Sequence, residues 1–132
     1  MMMSAVGSMV KAFHTKMGLS SRANVYPNDE VPVDLAEFRQ GLLQSEVDEL
    51  QQAVSENDLV EIADALADII YVAYGTALTY GINVDEVLYL VHQSNMTKSP
   101  PTTPGGKAVK GPDYRAPDVS TEIYKQRKYG SW

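Results

Sequence analysis

Apolar residues recur at helical spacing along most of this chain, and breakers punctuate them. Met9 to Met17 reads as a short helix that ends before Gly18. Leu19 to Pro32 follows as a loop, with turn residues at Pro27, Asn28 and Asp29. Asp34 then stands as the N-cap of a long helix carrying Phe38, Leu42, Leu43, Val47, Leu50 and Val54 on its apolar stripe. Gly41 falls inside that stripe, where it costs about 1 kcal/mol relative to Ala. The polar run Ser55-Glu56-Asn57-Asp58 is short enough to turn one helix back on the next, with Asn57 or Asp58 opening a second long helix from about Leu59 to Tyr80. Gly81 stops it. Asn83 and Asp85 start another helix, through Val87, Leu88, Leu90 and Val91, which fades near Met96.

Beyond Ser99 the pattern changes. Pro100, Pro101, Pro104, Gly105, Gly106, Gly111 and Pro112 exclude regular structure until a last short helix from Asp118 to Lys128. The pattern predicts an all-α protein: a four-to-five-helix bundle followed by an irregular arm, with no internal repeat. The 132 residues form one domain on this reading, with a core at about 9–98 and a C-terminal arm at about 99–132.

Composition adds little to this except in its charge. The hydrophobic fraction of 44% and the charged fraction of 21% are those of an ordinary globular chain. A net charge of -6 argues against a nucleic-acid binder. Acidic residues concentrate before residue 90, while Lys98, Lys107, Lys110, Arg115, Lys125, Arg127 and Lys128 make the last third basic. An acidic body with a basic arm suits a metal site paired with phosphate-binding groups. The absence of cysteine excludes a disulfide scaffold, a zinc-thiolate site and a cysteine nucleophile. The start lacks the basic flank of a signal peptide, and the apolar stretch Ile69 to Tyr80 is shorter than a membrane span. A cytoplasmic protein without a membrane partner is the expectation.

The candidate chemistry lies in the central hairpin. Glu46 and Glu49 are separated by about 60° around a helix and share one face. Asp64 and Asp68, at i and i+4, share a face of the next helix, within a run from Ile62 to Tyr74 that holds no other charge. These aspartates are therefore expected to be at least partly buried. A turn near residue 57 places residue i opposite roughly residue 114 minus i, given antiparallel packing. Glu46 then faces Asp68, and Glu49 faces Ala65 beside Asp64. Four carboxylates at one height repel one another and resist desolvation, which bound divalent cations would relieve. An all-oxygen site suits Mg2+ or Mn2+ rather than zinc.

Plainer readings exist for each part. An E-x-x-E pair is usually a solvated face, and Asp48, Glu56 and Glu61 read as surface charges. The two aspartates could instead pair with Arg39 or a lysine. Neither His14 nor His92 follows a glutamate at the spacing of a di-iron bundle, and His92, among apolar neighbours, reads as a packed histidine. There is no phosphate-binding G-x-x-x-x-G-K-S/T loop and no EF-hand spacing.

Taken together, Glu46/Glu49, the Asp64-Ala-Leu-Ala-Asp68 helix with Tyr71 and Tyr74-Gly75, and the string from Val91 through Asn95 to Lys98 resemble the MazG-like, all-alpha nucleoside triphosphate pyrophosphohydrolase superfamily. The segment from Gly106-Lys107 through Lys110, Tyr114 and Pro117 resembles the tail of its small, phage-type members. The resemblance covers about Val10 to Val119. It implies a homodimer or homotetramer with substrate held between subunits, and cleavage of a nucleoside triphosphate between its α and β phosphates. It also implies two or more Mg2+ or Mn2+ ions on Glu46, Glu49, Asp64 and Asp68, with Glu46 or Glu49 acting on the attacking water. Asn95, Lys98, Lys107, Lys110 and Tyr114 would contact the nucleotide, and Tyr71 and Tyr74 would wall a base pocket or sit in the core.

The sequence departs from the family pattern E-E-x-x-E…E-x-x-D twice. Ser45 stands at its first glutamate, and aligning Asp68 with its last aspartate puts Ala65 at the second-helix glutamate. Register favours Asp64 as the substitute over Glu61. The expected substrate is a purine deoxynucleotide such as dGTP or GTP. The alternatives are dUTP or dCTP, phosphoribosyl-ATP, or a non-catalytic helical interaction module. A phage-type protein would act in its host's cytoplasm.

Overall fold

Five helices in chain order make up the computed structural model, which describes residues 4–19 and 26–131. They are α1 (Ala5–Lys16), α2 (Val33–Ser55), α3 (Leu59–Tyr80), α4 (Val84–Asn95) and α5 (Val119–Tyr129). Among the described residues there is no strand, and the all-α expectation holds. The segment 20–25 of the expected loop lies outside the described residues.

Capping residues explain most of the boundaries. Asp58 accepts from the Glu61 amide at 3.2 Å, Asn83 from the Glu86 amide at 3.4 Å, and Asp118 from the Thr121 amide at 3.1 Å. Gly81 ends α3 in the left-handed conformation (φ 74°), donating to Leu78 O. Two boundaries differ from expectation. α1 begins a turn earlier, because Ser4 caps it by accepting from the Gly7 amide. Asp34 is not the cap of α2: that helix starts after Pro32, and Asp34 lies in its first turn, where a carboxylate favours the helix dipole. Gly41 leaves α2 unbroken on an exposed face.

The α2–α3 hairpin is the body of the fold. Asn57 takes φ 53°, and the Asp58 amide returns to Ala53 O, closing the connector. Alanines at 53 and 65, both buried, let the helices approach near that closed end. At the other end α1 packs on α3, where Val10 and Leu78 form the core with Val6, Tyr71 and Tyr74 around them. Tyr71 and Tyr74 thus contribute to the core, and Tyr74 donates its hydroxyl to Asp85, which also accepts from the Ser4 amide. α3 is longer than the apolar stretch read from sequence, long and apolar enough to span a membrane by length and composition alone. Here it is the central bundle helix.

The basic arm is tied down. Ser99 and Val109 exchange backbone hydrogen bonds of 2.8 and 2.9 Å, closing the loop 100–108. Ser94 donates to Arg115 O, and the Arg115 amide donates to Thr97 Oγ1. α5 is held by Gln126, which accepts from the Asn83 amide and donates to Asn83 O deep in the interior. His92 is exposed rather than packed, because it shares its face of α4 with Leu88 and Tyr89, which are exposed as well.

Candidate metal centre

The antiparallel register places Glu46 opposite Asp68, as the turn position requires. One carboxylate oxygen from each of Glu46, Glu49 and Asp68 lies within 4.8 Å of the others. Glu46 and Asp68 are half-buried in the seam between α2 and α3, while Glu49 is exposed at its edge. Glu46 Oε2 is buried and meets no hydrogen-bond donor among the described residues. A buried carboxylate oxygen without a donor is costly unless a cation or proton meets it. Burial pushes the Glu46 carboxyl above the usual carboxylate range, and the neighbouring Glu49, Asp68 and Asp64 push it further. Three hard oxygen donors around an unsatisfied oxygen fit a divalent cation of the Mg2+ or Mn2+ class.

Asp64 is not part of this group. It is exposed, against the expectation of burial, because α3 turns its Asp64 side past the edge of α2. It lines an open groove of about 180 Å3 with Glu49, Gln52, Glu56 and Glu61, floored by Ala53 and Ala65. Glu61 and Asp64 therefore flank the same groove, and Glu49 joins it to the three-carboxylate group. Arg39 does not pair with either aspartate. It bonds Thr76 Oγ1 at 3.2 Å and Val72 O at 2.8 Å, one helical turn or more away from them.

The residues expected to contact nucleotide lie elsewhere. Asn95 is exposed at the end of α4 and Lys98 half-buried just beyond it. Lys107 and Lys110 are exposed on the arm, and the Lys110 ammonium sits 5.2 Å from the centroid of the half-buried Tyr114 ring. None of these five lines the carboxylate groove.

Sequence reasoning passed over Arg39 and His14 as site residues. Both are buried, and both crowd Gly75: a Cβ there would stand 2.4 Å from Arg39 Nη2 and 2.7 Å from His14 Nε2. Burial pulls the Arg39 pKa down from its ordinary value. The sequence signal is partial: Arg39 precedes Glu46 by two turns on the same face of α2, but its burial and its partners come from the contact with α3.

Comparison with known proteins gives this geometry a family. An uncharacterized protein of Acanthamoeba polyphaga mimivirus is 49% identical over 57 residues, which are 43% of this chain and 22% of the viral protein. The chain thus matches about a fifth of that relative's length. The family model of phosphoribosyl-ATP pyrophosphohydrolase matches residues 10–95, from within α1 to the end of α4. That span holds all four candidate metal ligands and more than half of the chain, so the protein belongs to the phosphoribosyl-ATP pyrophosphohydrolase family, within the MazG-like all-alpha nucleoside triphosphate pyrophosphohydrolase superfamily.

Proposed function

We propose that this protein hydrolyses a nucleoside triphosphate to the monophosphate and pyrophosphate, with a purine deoxynucleotide such as dGTP, or GTP, as substrate. The observation that carries the reading is the group Glu46, Glu49 and Asp68 with its buried, unsatisfied Glu46 oxygen. Two or more Mg2+ or Mn2+ ions bound there would neutralise the triphosphate and lower the pKa of a water. Glu46 and Asp68 hold fixed positions in the helix seam, which orients them before substrate arrives. Glu49, at the solvent edge, would take a proton from the attacking water. That water's oxygen bonds to the α phosphorus as the bond to the bridging oxygen breaks, and pyrophosphate departs. Asp64 and Glu61 supply further carboxylate along the groove, with Asp64 as the substitute for the family's missing glutamate.

A homodimer or homotetramer belongs to this proposal. Leu59, Val60, Leu66 and Ile70 on α3 and Leu88 and Tyr89 on α4 are exposed in one chain, and covering them in an assembly would be favourable. In such an assembly Asn95, Lys98, Lys107, Lys110 and Tyr114 of one copy would serve the carboxylates of another, which explains their distance from the groove in a single chain. Neither a nucleic acid nor a membrane is needed, and the reaction suits the cytoplasm, that of the host if the chain is phage-encoded.

The family's own description supports a second reading, hydrolysis of phosphoribosyl-ATP. Pyrophosphate release from dNTPs, NTPs and phosphoribosyl-ATP, each with Mg2+ or Mn2+, separates the two. Release from dGTP or GTP is expected; release from phosphoribosyl-ATP alone would replace the first reading by the second.

A further inference from the structure

We propose that the cavity above Arg39 receives the base of the nucleotide, and that Arg39 selects guanine over adenine there. The inference rests on the pyrophosphohydrolase reading above and names the residue that would set its base preference.

Three observations converge. The cavity, about 180 Å3, is walled mainly by apolar side chains, the rings of Phe13, Phe38 and Tyr71 among them, with His14, Arg39 and Thr79 as its polar lining. Flat apolar walls with few polar groups suit a planar aromatic ligand. Arg39 is only 6% exposed. Two of its guanidinium's five N–H groups donate to Thr76 Oγ1 and Val72 O, leaving three with no partner among the described residues. A buried guanidinium stays charged and can only donate, so the cavity presents donors without acceptors from this residue. The Phe13 and Tyr71 rings meet edge to face at 5.6 Å, which stiffens one wall.

Position supplies the third observation. Leu42 lies one turn before Glu46 on α2, and Val72, which also lines the cavity, lies one turn after Asp68 on α3. The cavity and the carboxylates thus occupy successive levels of one seam, separated by about 5.4 Å along each helix. A sugar spans that order of distance between a base and its α phosphate. Gly75 leaves room for the Arg39 guanidinium in its observed place, since a Cβ there would stand 2.4 Å from Nη2.

The chemistry of the edge then decides between purines. Guanine offers O6 and N7 as adjacent acceptors to a guanidinium fork, whereas adenine puts an amino donor in place of O6. Adenine would leave donor facing donor in an apolar site, and the preference follows from that mismatch.

The test compares kcat/KM for dGTP and dATP in the wild type, Arg39→Gln and Arg39→Lys, with helix content followed by circular dichroism. The wild type should favour dGTP by about tenfold or more, the scale of a lost hydrogen bond to a charged group. Arg39→Gln should move the ratio toward dATP, because a glutamine amide pairs with adenine N6 and N7. Arg39→Lys, which keeps the charge and loses the fork, should fall between. The ratio is insensitive to a uniform loss from damaged packing. An unchanged ratio in Arg39→Gln, or equal turnover of both purines by the wild type, would overturn the inference and leave the pyrophosphohydrolase reading standing. If no triphosphate is turned over, that reading fails. Calorimetric titration with dGMP and dAMP then decides the cavity: preference for dGMP lost in Arg39→Gln supports it, and equal or absent binding overturns it.

Discussion

Replacing Glu46 by glutamine separates a metal ligand from a structural charge. The Glu46 carboxyl titrates above its ordinary range, chiefly because burial disfavours its charged form. The folded, metal-free protein therefore holds that proton more tightly than the unfolded chain does. The stability this brings is present below the ordinary carboxylate pKa and is lost as pH rises through the raised value. Above that raised value, and without metal, the ionised Glu46 works against the fold, and Glu46→Gln should melt at or above the wild-type temperature. Metal reverses the order. At a concentration one hundred times its dissociation constant, a cation stabilises the folded state by about 2.7 kcal/mol. For a chain of this size that is roughly 10 °C in melting temperature. Loss of one ligand that weakens binding about a hundredfold brings the same concentration down to the dissociation constant, and the gain shrinks to about 0.4 kcal/mol, roughly 2 °C. Thermal melts by circular dichroism at fixed protein concentration, with and without Mg2+ or Mn2+, measure both quantities. An equal metal-induced rise in Glu46→Gln and wild type would refute the argument. So would a metal-free variant melting far below the wild type, the behaviour of a buried pair that has lost a partner.

Three further outcomes follow from local geometry. Gly75→Ala should destabilise by about 1–3 kcal/mol, because its methyl meets buried Arg39 and His14, whereas Gly41→Ala, on an open helical face, should stabilise by about 0.5–1 kcal/mol; urea unfolding of both distinguishes them. Asp64→Asn should reduce pyrophosphate release while leaving the fold intact, and near-wild-type turnover would remove Asp64 from the metal set. Thr121 holds the Asp118 carboxyl below its ordinary pKa, so its cap on α5 persists above the ordinary range and is lost as pH falls through the lowered value. Amide exchange in the first turn of α5 should accelerate on acidification in the wild type and much less in Asp118→Asn, which keeps a capping oxygen.

Much of the hairpin was legible because its signals are local. Asp58 and Gly81 carry cap chemistry that needs no tertiary partner, and a turn at residue 57 sets the pairing of Glu46 with Asp68 by arithmetic. Ser4 and Asp34 show the limit: a cap depends on which residue leaves helical geometry, and Pro32 decided that at α2. Asp64 was misjudged for a different reason. Apolar neighbours on α3 imply burial only if something covers them, and in one chain Leu59, Val60, Leu66 and Ile70 are uncovered. Arg39 illustrates non-local information, since its partners Thr76 and Val72 follow only from the helix–helix contact. The arm reads as irregular by composition, yet the Ser99–Val109 bridge and the Ser94–Arg115 bond fix it through contacts no composition encodes.

The most direct test of the whole account is pyrophosphate release from a panel of common dNTPs and NTPs plus phosphoribosyl-ATP, under Mg2+ and under Mn2+, with Glu49→Ala as control. The account predicts metal-dependent release from dGTP or GTP that disappears in the control while the helices remain. Silence across the triphosphates under both metals, or release undiminished in Glu49→Ala, would contradict it.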